Sequence, residues 1–301
     1  MPNIGFCMVN PAPEIHPGHV IQVARKCEEI GVHSMWALDR VVYDNLEPLT
    51  LLAAAAAVTS KIRLGTSVLL AALRPPAALA KTVATLDFLS NGRVTLGIGF
   101  GSRQDDFTSV ASPWEHRGSR AEELVELMKR LWSGESVTHK GKFFQLDNVA
   151  VGPRPVQKPH PPIWTGGSSE AALKRAARMA DGYICGSSAI PQFPAVWEKI
   201  AGYAKAAGRD PNTITKAGLT FMAIDNDKHK AIDACAAYLK RYYGSVRLDI
   251  EKTFVVGSPG ACAERIRAAF DNGLETLIIG GAVPDIKQLD LLGEKVLPLV
   301  K

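Results

Sequence analysis

The chain has few cysteines, few aromatic residues and no block of basic charge. Its five cysteines, Cys7, Cys27, Cys185, Cys235 and Cys262, lie far apart with no CxxC pair. That argues against a zinc ribbon or a thioredoxin-like site and fits free thiols in a reducing compartment. HExxH is absent, and His16 and His19, three apart, flank Pro17-Gly18 at a helix start and read as solvated loop residues, so the seven histidines are not expected to form a metal site. No apolar run reaches the ~18 residues of a membrane span, because charged residues interrupt every candidate. The start, MPNIGFCMVNPAPE, has no basic segment ahead of its short apolar run, so no export signal is expected and the cytoplasm is the default location. The formal charge of +5 is spread along the chain. Nucleic-acid binding is therefore not expected, while a basic pocket for a phosphorylated cofactor stays open.

What is present is an apolar fraction of 47% in 301 residues, enough for one large α/β barrel or two ordinary domains. The organising stretch is IRLGTSVLLAALRPPAALAKTVATLDFLSNGRVTLGIGFG, from Ile62 to Gly101. It reads as a strand, a Pro-started helix, a Ser-Asn-Gly turn and a second strand, which demands a parallel crossover with both sheet faces covered. The same alternation runs along most of the chain. Strands are expected at 4–9, 34–38, 162–165, 182–185, 214–224 and 276–279, with helices at 18–30, 46–59, 121–132, 168–179, from after Ser188 to about 207, 227–243, after Ser258-Pro259, and at 285–300. Pro11 and Pro13 force an extended or turning loop after the first strand. Two insertions interrupt the pattern: a long loop at 102–118, and an excursion at 135–154 that reads as a hairpin turning near Lys140-Gly141. Eight strands, nearly all followed by helices, predict a (β/α)₈ TIM barrel spanning 1–301 as one domain, ahead of a doubly wound open sheet.

In such a barrel the strand ends carry the chemistry. Gly97, Gly99 and Gly101 follow GxGxG spacing, which fails as a dinucleotide fingerprint because GxGxxG and an immediate helix are both missing. They read either as a rim that lets a flat ligand approach the backbone or as close strand packing. Gly166-Gly167-Ser168-Ser169 leads from a strand into a helix start, where backbone N–H groups and hydroxyls suit a phosphate, and Gly186-Ser187-Ser188 repeats the arrangement one strand later. Ordinary capped turns are the alternative for both. Asp39-Arg40 ends the second strand, as a cofactor contact and acid or base, or as a rim ion pair. His116 in the long loop is a candidate acid or base. Phe107 and Trp114 either lid the pocket or anchor their loop.

The segments TLDFLSNGR and PPIWTGGSSEAALKRAARMADG, with RGSRAEELVELMKRLWSGESV and VGSPGACAERIRAAF, resemble the luciferase-like superfamily of flavin- and deazaflavin-dependent oxidoreductases over nearly the whole chain. The resemblance implies a luciferase-like barrel using reduced FMN or F420, for hydride transfer to a small organic substrate or for its monooxygenation. It implies a non-prolyl cis peptide at Ser67-Val68, pressed against the central ring of the cofactor. Asp39 would contact the ring, and Gly166, Gly167, Gly186, Ser187 and Ser188 would hold the tail. A separate flavin or F420 reductase and a homodimer are implied as partners. Two departures stand out. The F420-dependent dehydrogenases carry histidine where this chain has Arg40, and the sugar-phosphate members carry a catalytic glutamate where it has Ser102. Arg40, Asp105, Asp106 and His116 are the residues near the rim able to replace them, Asp105 also as a cofactor contact. A non-catalytic flavin-binding barrel is the alternative function, and a metal-dependent barrel hydrolase a more distant one.

Overall fold

A computed structural model of the chain describes residues 2–9, 14–246 and 248–300; the loop expected at Pro11 and Pro13 lies outside them. The barrel strands are mostly short apolar runs buried on both faces, as a parallel sheet covered by helices requires, while the β6–β7 pair is polar and largely exposed. They are β1 (Asn3–Met8), β2 (Ser34–Ala37), β3 (Arg63–Thr66), β4 (Leu69–Leu70), β5 (Val94–Gly99), the pair β6 (Val137–Lys140) and β7 (Gln145–Val149), then β8 (Ile163–Gly166), β9 (Gly182–Gly186), β10 (Thr215–Ile224), β11 (Val255–Gly257) and β12 (Thr276–Gly281). Every residue of β5 and of β12 is buried. Parallel pairing runs from β12 through β1, β2, β3, β5, β8 and β9 to β10, and β10 pairs back to β12. The sheet is thus a closed eight-strand barrel, with β4 beside β5 and β11 beside β10 as short additions.

Helices α1 (His19–Glu29), α2 (Pro48–Val58), α3 (Pro76–Leu89), α5 (Arg117–Trp132), α6 (Glu170–Met179), α7 (Phe193–Ala206), α8 (Lys228–Tyr243) and α10 (Pro259–Asp271) wrap the barrel, with the short α4 (Gln104–Ser109), α9 (Ile250–Thr253), α11 (Lys287–Leu291) and α12 (Leu297–Val300) between and after them. Side chains start several of them. Ser169, Asp227 and Ser258 accept hydrogen bonds from backbone N–H groups in their first turns, and Pro259 follows its cap at the first helical position.

Local features differ from the sequence expectation at several points, the short β4, α9 and β11 among them. The 102–118 segment contains α4, α5 begins at Arg117 instead of 121, and the closing helix is broken by a π segment at Leu292–Val296. The 135–154 excursion is a two-stranded antiparallel hairpin outside the barrel. Among the described residues no helix is long and apolar enough to cross a membrane.

The barrel interior is plugged. The Trp36 and Trp164 rings lie 5.3 Å apart, and Gly65 leaves the space for the first of them, since a Cβ there would fall 2.3 Å from the indole. This pair separates the cavity at the C-terminal mouth from a smaller one at the N-terminal end of the barrel, which Trp36 and Trp164 themselves line.

Candidate active site

The mouth holds a cavity of about 690 Å³ framed by the ends of β3, β5, β8 and β9. Its inner end is the turn between β3 and β4, where the Ser67–Val68 peptide is cis. Val68 projects toward Gly99, where a Cβ would come within 2.4 Å of Val68 Cγ2, so only glycine lets the two segments meet. Ser67 Oγ is buried beside the cavity without a hydrogen-bond partner. At the outer end the chain turns through Gly166 and Gly167, the latter at φ +118°, into α6. Ser169 caps that helix by accepting from Ala172 N at 3.2 Å. The Tyr183 hydroxyl donates to Gly167 O at 2.9 Å. Burial pushes the pKa of this phenol up, so it stays a donor.

Of the residues marked from the sequence, Ser67, Val68, Gly99, Gly101, His116, Gly166, Gly167, Ser168, Gly186 and Ser188 line this one cavity, as does Ser102. Asp39, Arg40, Asp105 and Ser187 do not. Asp39 is buried, and its carboxylate accepts from Leu70 N at 2.8 Å and from both terminal nitrogens of Arg74, at 2.5 and 3.3 Å. It braces the turn that carries the cis peptide. Arg40 donates from Nε to Asp106 at 2.6 Å, and the other oxygen of Asp106 accepts from Val41 N and Val42 N. That ties the loop after β2 to α4. Asp105 pairs with Arg103 and Arg40, and the Arg103 hydrogen bond leads the causes that hold its carboxyl below the usual range. Ser187 is buried and donates to Leu219 O at 3.0 Å. Phe107 and Trp114 meet edge to face at 5.1 Å, in a small cluster with Ala72 and Ala121, which anchors the loop.

A family model described as luciferase-like monooxygenase matches residues 4–276. The chain belongs to that family. It is 27% identical to an F420-dependent glucose-6-phosphate dehydrogenase of Amycolatopsis mediterranei, over 96% of both chains. It is also 27% identical to an FMNH(2)-dependent dimethylsulfone monooxygenase of Pseudomonas putida, over 100% of this chain and 94% of the relative. The solved structure of the coenzyme F420-dependent tetrahydromethanopterin reductase of Methanopyrus kandleri superposes with a TM-score of 0.83 at 26% identity, covering 100% of this chain and 99% of the other.

This luciferase-like site fits a planar ring joined to a phosphate. The ring end offers an unpartnered buried hydroxyl and a glycine wall, and the outer end offers backbone N–H groups at a helix start. Two arginines that the sequence reading did not single out complete it. Arg175 of α6 lies over Phe100 at 4.7 Å and pairs with Glu122 at 2.5 Å. Arg117 stacks on Trp114 at 3.6 Å and donates to Gly101 O at 3.0 Å. The available signal for Arg175 was its place in the second turn of a helix opened by Gly-Gly-Ser-Ser, where a long cation can reach back toward an anion at the N-terminus.

Proposed function

We propose that the mouth cavity seats a flavin or deazaflavin with its ring against the Ser67–Val68 turn and its phosphate at the start of α6. The chain is a luciferase-like oxidoreductase that uses reduced FMN or F420 on a small organic substrate. The observation that supports this placement best is a single cavity joining a glycine-walled slot at one end to a capped helix N-terminus at the other.

When bound, the cofactor supplies the reducing electron pair, for hydride transfer or oxygen activation. The protein binds, orients and moves protons. The Ser67 hydroxyl has a free hydrogen bond to offer a ring heteroatom. Leu70 and Phe100 line the wall and keep water from the ring, and Arg175 and Arg117 oppose the tail's negative charge. Among the lining side chains, burial pushes the Tyr183 phenol up and the Cys185 thiol up to about 12, so neither gives up a proton near neutral pH. His116, at φ +55° where the loop turns into α5, is the lining imidazole and is assigned the proton transfer. A separate reductase would supply reduced cofactor, a homodimer is the expected assembly, and the cytoplasm is the expected location.

Anaerobic titration with FMN and F420, each oxidised and reduced, tests the placement. Saturable micromolar binding of one of them is expected, and oxygen uptake during turnover separates monooxygenation from hydride transfer. No binding of either in any redox state removes the proposal.

A further inference from the structure

A second groove, of about 520 Å³, opens beside the outer end of the mouth and is walled by α5, α6 and α7. It shares Ala171 and Arg175 with the mouth, so a ligand anchored at the start of α6 can continue into it along the protein surface. Its wall carries Lys174, Arg175 and Arg178 of α6, facing Tyr203 of α7 and Glu122 of α5. Lys174 and Arg178 lie four residues apart and so share a helix face.

The single carboxylate of Glu122 offsets only part of this charge. It accepts from Arg175 Nε at 2.5 Å and from Arg178 Nη2 at 2.8 Å, which holds both guanidiniums in place. A guanidinium has about five N–H donors, so each keeps others for a ligand. Lys174 pairs with Glu170 at 2.6 Å, but these side chains are 52% and 68% exposed. Such exposed pairs contribute little and exchange readily for a better anion.

We propose that this groove takes an oligocarboxylate chain extending beyond the cofactor's phosphate, which makes F420 rather than FMN the cofactor of this site. FMN ends at its phosphate and has nothing to place there. F420 carries a glutamyl chain past its phosphate, and each carboxylate added meets a wall of three cations. From Glu170 to Arg178 the helix advances roughly 12 Å, at about 1.5 Å per residue, the reach of about three residues of extended chain. The inference rests on the mouth being the cofactor site.

The test compares equilibrium binding of FMN, of F420 with several glutamyl units and of the F420 form with none, by calorimetry, so that no turnover is needed. In the wild-type chain at low salt the long tail should tighten binding about tenfold over the tail-less form, and high salt should erase that advantage. Lys174→Glu with Arg178→Glu should abolish the tail preference, moving tail-less affinity by no more than roughly twofold. Equal affinity of the two F420 forms for wild type overturns the inference. So does a tail preference that survives charge reversal in a variant with wild-type circular dichroism and melting. Should the reversed variant not fold, Lys174→Gln with Arg178→Gln and the wild-type salt dependence decide in the same way. Binding of FMN but not F420 overturns the groove assignment and leaves the mouth standing as a cofactor site, whereas no binding of any of the three overturns both.

Discussion

Asp39 shows how a residue set behind a barrel mouth can serve the cavity through the turn it braces. Its carboxylate is almost fully buried and holds both the Leu70 N–H and the Arg74 guanidinium. Removing it leaves the Leu70 N–H without its acceptor and takes from Arg74 its buried partner, with only the more exposed Glu47 still paired to it. Asp39→Ala should therefore cost about 3 kcal/mol in urea unfolding, with a double-mutant cycle against Arg74→Ala returning a coupling of about 2 kcal/mol. A change under about 0.5 kcal/mol would make the bracing role untenable. His116→Gln should behave oppositely, because the side chain is exposed and lines the cavity. Turnover should fall roughly 10²-fold or more while cofactor affinity and melting temperature hold. Unchanged turnover would shift the proton transfer to another group. These two residues also mark what sequence alone could show. The strand end that carries Asp39 and Arg40 was readable from the buried run before it. Their partners, Arg74 and Asp106, lie 35 and 66 residues further on, and no spacing rule announces such encounters.

At the scale of elements, long periodic segments were legible and short polar ones were not. The helix α4, with the sequence QDDFTS, has too few apolar positions to display a period, and β11 is three residues long. The first turn of α5 reads Arg-Gly-Ser-Arg, which looks like loop until Arg120 is seen buried. How elements are joined is equally local. Glu28, at the end of α1, accepts from the backbone N–H groups of Ser60, Lys61 and Ile62, clamping the entry to β3. Burial alone would raise its pKa, but these hydrogen bonds outweigh it and hold the carboxyl at about 2. A folded-state pKa below the ordinary value means that the clamp stabilises fully above the ordinary carboxylate range and is lost as pH falls through it toward about 2. Discounted for the side chain's partial exposure, the contribution is about 1–2 kcal/mol. Wild type should exceed Glu28→Gln by that amount in unfolding free energy at neutral pH, and the gap should close on acidification. A gap independent of pH would mean that packing, not the charge, holds the loop.

Across the whole molecule, the packed interior and the mouth cavity are separated along the barrel axis. The buried Trp36–Trp164 pair packs in the barrel interior and contributes no atom to the mouth cavity, whose wall comes from strand ends and the loops beyond them. The barrel itself was readable in advance because parallel strands buried on both faces need crossover helices, and eight such units close on themselves. The mouth was readable only in part, because its glycines and serines sit at strand ends while Arg117 and Arg175 arrive from helix faces that read as solvated. The separation makes a prediction about the plug. Trp164→Ala removes a large buried side chain and should cost about 3–5 kcal/mol, lowering the melting temperature of the cofactor-free protein. At a temperature where the variant is still folded, the mouth keeps its cis turn, its glycine wall and its capped helix. Cofactor affinity per folded molecule should then stay within roughly twofold of wild type, since no cavity-lining contact has been removed. Loss of affinity well beyond that in a folded variant would show that the plug shapes the mouth through the strands, and that the barrel works as one mechanical unit.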